Sequence, residues 1–140
     1  MKGVIIATAA AVLLTPPVSA GAQGAMLGAT AFKDHCAVCH GDTGKGDGVV
    51  GALFAQRPKD LTQLSKENGG TFPMDRVVGS IDGRDKIAGH GLTASRMPVW
   101  GSYFLQQGVQ AQGLTPDLAA EVVQGRILTL AYYLESIQAR

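Results

Sequence analysis

The chain has 140 residues, with 12 basic and 11 acidic side chains and a formal net charge of +1. Lys2 is the only charged residue among the first 22, so the remainder carries 11 basic and 11 acidic residues. This length is that of a single domain, and the balanced charge offers no basic face for nucleic acid or for an anionic membrane surface.

The first 22 residues have the pattern of a secretory signal peptide. Lys2 provides a short positive region, residues 4–14 are an uncharged apolar run, and small residues follow at Ala20 and Ala22. The pattern predicts export, with cleavage after Ala20 or Ala22, and it leaves residues 23–140 as one domain. The apolar run is shorter than the roughly 18 residues expected of a membrane span, so we expect no span in the mature chain.

Residues 28–38 are predicted to form a helix that runs into the only two cysteines of the chain, Cys36 and Cys39. Phe32 lies four residues before Cys36, so both side chains share one helical face. Gly28 lies a further four residues back, where it would allow another backbone to approach closely.

Both cysteines belong to one short motif, Cys36-Ala37-Val38-Cys39-His40. The spacing C-x-x-C-H is typical of c-type haem attachment. On one helical turn the two thiols can each add to a vinyl group of one porphyrin edge, and the histidine that follows can bind the iron. A thiol redox pair or a disulfide are alternatives, and a zinc site would need His35 or His90 as its fourth ligand.

Residues 41–51 are rich in glycine and are predicted to form a loop folded tightly against the cofactor. Pro58 follows this loop, and its backbone carbonyl can accept a hydrogen bond from the distal ring nitrogen of an axial histidine such as His40. A plain turn proline is the alternative. A short polar helix is predicted next, ending near residues 69–70.

Two further helices are predicted from apolar residues at helical spacing. Residues 72–81 form the first, closed by Asp82-Gly83. The second runs from Thr115 to about Gln138 and begins with an N-cap threonine, a proline and an aspartate. We expect its apolar stripe to pack on the face of Gly28 and Phe32; the stripe consists of Val123, Ile127, Leu130, Leu134 and Ile137.

The second axial ligand of a haem iron is the main choice that the sequence leaves open. Met97 is favoured because Pro98 holds it in an extended loop, with Trp100 packed behind it as support. Met74 falls inside a predicted helix and is expected to fill the core. The other candidates on the chain are Met26, His35 and His90, and an iron without a second protein ligand is a further alternative.

In these features the chain resembles the class I cytochromes c of bacteria. The matching residues are Gly28, Phe32, the motif through Gly41, the glycine-rich loop, Arg57-Pro58, Met97-Pro98-Val99-Trp100-Gly101 and Tyr133-Leu134. The resemblance implies an all-α, cytochrome c-like fold of about four to five helices wrapped around one covalently bound haem c, with the terminal helices packed across each other.

The resemblance also implies a role for individual residues. Cys36 and Cys39 would be the thioether anchors of the haem, and His40 and Met97 would be its axial iron ligands. Pro58 would accept the hydrogen bond from His40. Phe32 and Trp100 would lie beside the cofactor.

The function expected is that of a periplasmic single-haem electron carrier, and not an enzyme, because no acid/base pair lies at a plausible open site. Its expected partners are redox proteins. One alternative is a haem subunit bound tightly to a dehydrogenase or oxidase, a reading motivated by the glycine-punctuated residues 79–91 and the neutral charge. The other is a ligand-binding haem, as in a gas sensor or a peroxidase-like domain.

Overall fold

The computed structural model describes residues 20–84 and 97–139, which form an all-α fold without a β-strand in those ranges. The fold class predicted from the sequence is confirmed. The helices of the described residues are α1 (Ala20–His35), α2 (Ala37–His40), α3 (Leu64–Glu67), α4 (Met74–Asp82), α5 (Trp100–Gln112) and α6 (Pro116–Ser136), and 3-10 turns lie at Gly51–Leu53 and Leu61–Gln63. Within these two ranges, no helix has both the length and the hydropathy to cross a bilayer.

The N-terminal helix α1 begins at Ala20, eight residues before the start predicted from the sequence. Its first turns contain small residues that show no apolar stripe, and they pack closely: a Cβ on Gly24 would lie 2.9 Å from the Tyr132 ring of α6. Residues 1–19, most of the predicted signal peptide, lie outside the described residues. Cleavage after Ala20 or Ala22 would remove only the first turn of α1.

The predicted helix is also interrupted at the haem motif. The helix α1 ends at His35, and Cys36 then acts as the N-cap of the single-turn helix α2, with φ −112° and ψ −35°. The prediction of one continuous helix from 28 to 38 is therefore wrong at this point. The break separates the α1 face, which packs in the core, from the turn that carries the motif.

The crossing of α1 on α6 is the most extensive contact between helices of the described residues. At its centre, a Cβ on Gly28 would overlap the backbone carbonyl of Thr129. Phe32 is 2% exposed and packs on Tyr133 with ring centroids 5.1 Å apart. The apolar stripe of α6 is buried along Val123, Ile127, Leu130 and Leu134. The predicted packing of the two terminal helices is confirmed.

The ends of α4 and α6 also follow the sequence. Thr115 caps α6 through its side-chain oxygen, which accepts the Leu118 N–H at 3.4 Å, and Pro116 is the first helical residue. The helix α4 ends at Gly83, which adopts the left-handed conformation with φ +83°. In both cases a local residue preference coincides with the tertiary packing.

The helix α5 was not predicted, because its sequence has no charged residue, no capping side chain and two glycines. The structure assigns both glycines to helix contacts. Gly101 lies against the Asp82 carboxylate at the end of α4, and a Cβ on Gly108 would lie 3.1 Å from Ala119 of α6. Tertiary contacts therefore override the weak helix propensity of this segment.

We expect the substitution Gly28→Ala to destabilise the fold by about 1–3 kcal/mol, because the added methyl group forces α1 away from the Thr129 carbonyl. The matched control is Gly125→Ala in α6, where nothing lies within 4 Å of an added Cβ. This control should stabilise the fold by up to about 1 kcal/mol. Denaturant unfolding followed by circular dichroism measures both, and equal midpoints for the two variants would contradict the close contact at Gly28.

Candidate haem site

The motif residues lie on one tight turn that begins at the end of α1. The Cys36 N–H donates to the Phe32 carbonyl at 2.8 Å, and the Cys36 carbonyl accepts the His40 N–H at 2.9 Å. Both thiols are half-buried and neither is part of a disulfide. This turn brings the two thiols and the imidazole together in the order that haem attachment requires.

The Cys36 thiol has little thiolate character. Burial, together with the neighbouring Cys39, raises the pKa of Cys36 to about 12. Reactive redox cysteines depend on a lowered pKa, because the thiolate is the nucleophile. The environment of Cys36 therefore disfavours a thioredoxin-like function for this pair.

His40 is buried, with 6% of its surface exposed, and its Nδ1 lies 3.4 Å from the backbone carbonyl oxygen of Lys59. A proton on Nδ1 directed at this carbonyl leaves the lone pair on Nε2, which is the form of imidazole that ligates iron. The sequence assigned the acceptor role to Pro58. The carbonyl oxygen within hydrogen-bond distance of Nδ1 belongs to the next residue, Lys59, one position beyond the predicted acceptor.

Pro58 has a packing role that explains this displacement. Its carbonyl faces Gly46, whose φ is +78° and where an added Cβ would overlap the Pro58 oxygen. Its ring lies against Gly51, where a Cβ would be 2.9 Å from Pro58 Cγ. Pro58 is thus held between two glycines of the loop, and its carbonyl is directed at the loop while the Lys59 carbonyl faces the motif.

The glycine-rich loop is tied to the motif by backbone hydrogen bonds. The Gly46 N–H donates to the His40 carbonyl at 2.8 Å, and the Val50 N–H donates to the Val38 carbonyl at 3.0 Å. On its other side, the Leu61 N–H donates to the Gly44 carbonyl at 2.7 Å. The loop is therefore held on the backbone of the motif and of the segment that follows Pro58.

The segment that carries the Lys59 carbonyl is held from two sides. Lys59 forms an ion pair with Glu67 on α3, although both side chains are about half exposed and the pair adds little stability. Gln138, beyond the end of α6, donates from Nε2 to the Leu61 carbonyl at 2.8 Å and accepts the Ser65 N–H at 2.8 Å. No local pattern in the sequence identified Gln138 as a support of this segment, since Leu61 and Ser65 lie more than 70 residues away from it.

The candidates for the second axial position occupy different environments. Met97 is half-buried and lies just before α5. Met74 packs against the hydrophobic core, as predicted. Met26 is 74% exposed on α1, and His35 lies among aromatic rings. His90 lies outside the described residues.

Trp100 is the first residue of α5, and not part of a loop as predicted. Together with His35, Tyr103 and Phe104 it forms what we call the aromatic cluster. Every pair of these four rings has its centroids between 5.3 and 5.9 Å apart. The sequence analysis missed Tyr103 and Phe104, although their spacing of three and four residues from Trp100 would place all three on one helical face.

The donor set fits a haem better than a zinc ion. Within residues 20–84 and 97–139, no group of three or more histidine, cysteine, aspartate or glutamate side chains is arranged to hold a metal ion. A c-type haem needs only two accessible thiols and one imidazole on this side of its iron, and the motif provides them. The residues present therefore fit a covalently attached haem.

Comparison with protein families identifies one match, to the Cytochrome c family, over residues 25–117. No significant match was found among curated proteins or among solved structures. The matched region includes the haem motif, the glycine-rich loop and residues 97–99, which we call the Met97 segment. Proteins of this family bind haem c covalently and generally act in electron transfer with redox partners, rather than as enzymes. Because the match covers well over half of the chain, the protein belongs to the cytochrome c family.

Proposed function

We propose that this protein is a periplasmic electron carrier that holds one haem c through Cys36 and Cys39, with His40 and Met97 as the two axial iron ligands. When bound, the haem supplies a one-electron ferric/ferrous couple. Two protein ligands would leave no open position for a substrate. A closed, six-coordinate iron suits electron transfer and disfavours catalysis.

The observation that carries this proposal is the buried His40 beside the Lys59 carbonyl, on the same turn as two free thiols. A carbonyl that accepts the Nδ1 proton orients the imidazole and makes it more basic. Burial keeps water from this side of the site. These residues hold the ring in place by backbone contacts that need no side chain to rearrange when the charge on the iron changes.

The environments of the other candidates support Met97 as the second ligand. A thioether opposite an imidazole favours ferrous iron and raises the reduction potential. Met74 is half-buried on α4 and packs against the core, and His35 packs in the aromatic cluster. Met97 is half-buried and lies three residues before the start of α5, where Pro98 keeps its backbone extended.

Replacement of both cysteines by alanine should abolish covalent haem. In the native protein the haem should stay on the polypeptide during acidified-acetone extraction and denaturing electrophoresis with haem staining. The variants Cys36→Ala and Cys39→Ala should each keep one thioether and so retain stain. Met97→Ala is the control and should retain all covalent haem, because a thioether ligand to iron is not an attachment bond. Covalent haem in the double variant would contradict the assigned anchors.

The absorption spectrum of the reduced protein should not change when carbon monoxide is added, because both axial positions are occupied. Met97→Ala should produce a protein whose reduced spectrum shifts on addition of the gas. Met74→Ala is the matched control and should behave like the native protein, with a loss of stability below the roughly 2–5 kcal/mol of a fully buried methionine, because its side chain is only half-buried.

Two results would change the assignment of the second ligand. A native protein whose spectrum shifts with carbon monoxide would favour the ligand-binding haem over the electron carrier. A shift in Met74→Ala without a shift in Met97→Ala would exchange the roles of the two methionines.

A second candidate function is that of a haem subunit fixed in a larger dehydrogenase or oxidase complex. One observation favours it: apolar side chains beside the motif are exposed, with Val49 at 77% and Leu53 at 80%. The Val50 N–H bond to the Val38 carbonyl places these residues next to the motif. Exposed apolar surface of this kind can mark a protein interface.

Native periplasmic extract separated by size at high salt distinguishes these two functions and tests export. We expect the haem-bearing fraction to elute at the mass of one mature chain whose N-terminal residue is Gly21 or Gln23. High salt weakens ionic contacts and leaves apolar ones intact, so a fixed subunit would elute with its partner. Haem protein confined to the cytoplasmic fraction would contradict the periplasmic location.

A further inference from the structure

The aromatic cluster joins the two parts of the chain that carry the proposed axial ligands. His35 is the last residue of α1 and directly precedes Cys36. Trp100 is the first residue of α5 and follows Met97 by three positions. The two rings have their centroids 5.3 Å apart, at an interplanar angle of 53°. Their contact therefore connects the haem motif with the Met97 segment across about 60 residues of chain.

The cluster is anchored on the side of α5. Phe104 is 2% exposed and lies 5.5 Å from Trp100 and 5.3 Å from His35, measured between ring centroids. The Arg126 guanidinium of α6 lies 4.8 Å from the Phe104 ring centroid. It also donates to Gln107 Oε1 at 3.3 Å. The Trp100 ring thus packs on Phe104, which Arg126 of α6 contacts in turn. The Trp100 ring also packs on His35.

Two further contacts near the start of α5 are made with α4. Val99 lies against Gly83, where a Cβ would overlap its side chain, and Gly101 lies against Asp82. These contacts locate the N-terminal end of α5 relative to α4. The ring contacts of His35, by contrast, connect the same end of α5 directly to the residue before Cys36.

We propose that His35 is a positioning residue that clamps the Met97 segment against the haem motif and thereby keeps Met97 on the iron. The inference rests on the proposed function, in which Met97 is the second axial ligand. When the segment opens together with Trp100, the residue that directly follows it, Trp100 separates from His35. The contact is therefore present in the closed form and lost in the open form, and it biases the equilibrium towards ligation.

Imidazole added to the ferric protein measures this equilibrium, because it binds the iron only when Met97 has left. The apparent dissociation constant equals the intrinsic constant divided by the populated fraction of the open form. Loss of the His35 ring should raise that fraction and tighten apparent imidazole binding by about tenfold, the effect of losing aromatic contacts of ordinary strength. The readout is a spectroscopic titration and does not depend on electron-transfer activity.

The experiment compares four variants of the haem-loaded protein with the native one. His35→Leu keeps apolar bulk but removes the ring, and His35→Phe restores a ring. Met97→Ala removes the proposed ligand and shows how tightly imidazole binds when no methionine competes for the iron. Gly28→Ala lowers global stability at the α1–α6 crossing, away from the aromatic cluster. We expect about tenfold tighter imidazole binding for His35→Leu, native affinity for His35→Phe, and a clearly smaller tightening for Gly28→Ala than for His35→Leu.

The outcomes separate the clamp from the ligand assignment. Native affinity in Met97→Ala would overturn Met97 as the ligand and the clamp with it. Tighter binding in Met97→Ala with native affinity in His35→Leu would overturn the clamp alone. Equal tightening in His35→Leu and Gly28→Ala would also overturn it, since global stability would then be the cause. If His35→Leu does not accumulate, Trp100→Leu removes the same ring contact from the other side and carries the same expectation.

Discussion

The close crossing of α1 on α6 is the contact on which the other parts of the site depend. Gly28 allows the α1 backbone to reach the Thr129 carbonyl, and Phe32 then packs on Tyr133 in the core. The end of α1 leads directly into the haem motif. Just beyond the end of α6, Gln138 holds the segment that carries the Lys59 carbonyl. The same pair of helices therefore positions both the motif that carries His40 and the segment whose carbonyl lies beside the His40 ring.

The helix α6 also supports the other side of the site. Ala119 of α6 packs against Gly108 of α5, and Arg126 of α6 lies over Phe104. The helix α5 begins at Trp100, next to the Met97 segment. The helix α6 contacts α1, α4 and α5. It therefore supports the three helices that surround the proposed haem site. The family match ends at residue 117, just after α6 begins, so this helix lies almost wholly outside the matched region.

Features set by local chemistry could be predicted from the sequence. The C-x-x-C-H spacing, the threonine and proline at the start of α6, and the glycine that ends α4 each act within a few residues of themselves. Features set by distant partners could not. The helix α5 forms from a glycine-containing segment because Asp82 and Ala119 pack closely on it, and neither contact has a local signal.

The carbonyl beside His40 belongs to Lys59 and not to the predicted Pro58, and this difference also depends on distant contacts. The sequence pointed to Pro58, one residue before the carbonyl that lies beside His40, because proline offers a carbonyl without a competing N–H. Which carbonyl faces the ring depends on how Pro58 is held between Gly46 and Gly51. That orientation comes from the fold of the whole loop, and a residue-by-residue pattern contains no information about it.

The two proposed axial ligands are held by contacts of different kinds. His40 lies on a turn with two attachment points for the cofactor, behind a loop fastened by backbone hydrogen bonds of 2.8 and 3.0 Å. The Met97 segment contains no cysteine that could attach to the cofactor, and Trp100, which directly follows the segment, packs on the ring of His35 beside the motif. Ring contacts are individually weak and non-covalent, so the Met97 side should open first when the site is perturbed. On the proposal that Met97 ligates the iron, the stability of that ligation depends on His35, Trp100 and α5 as well as on the thioether itself.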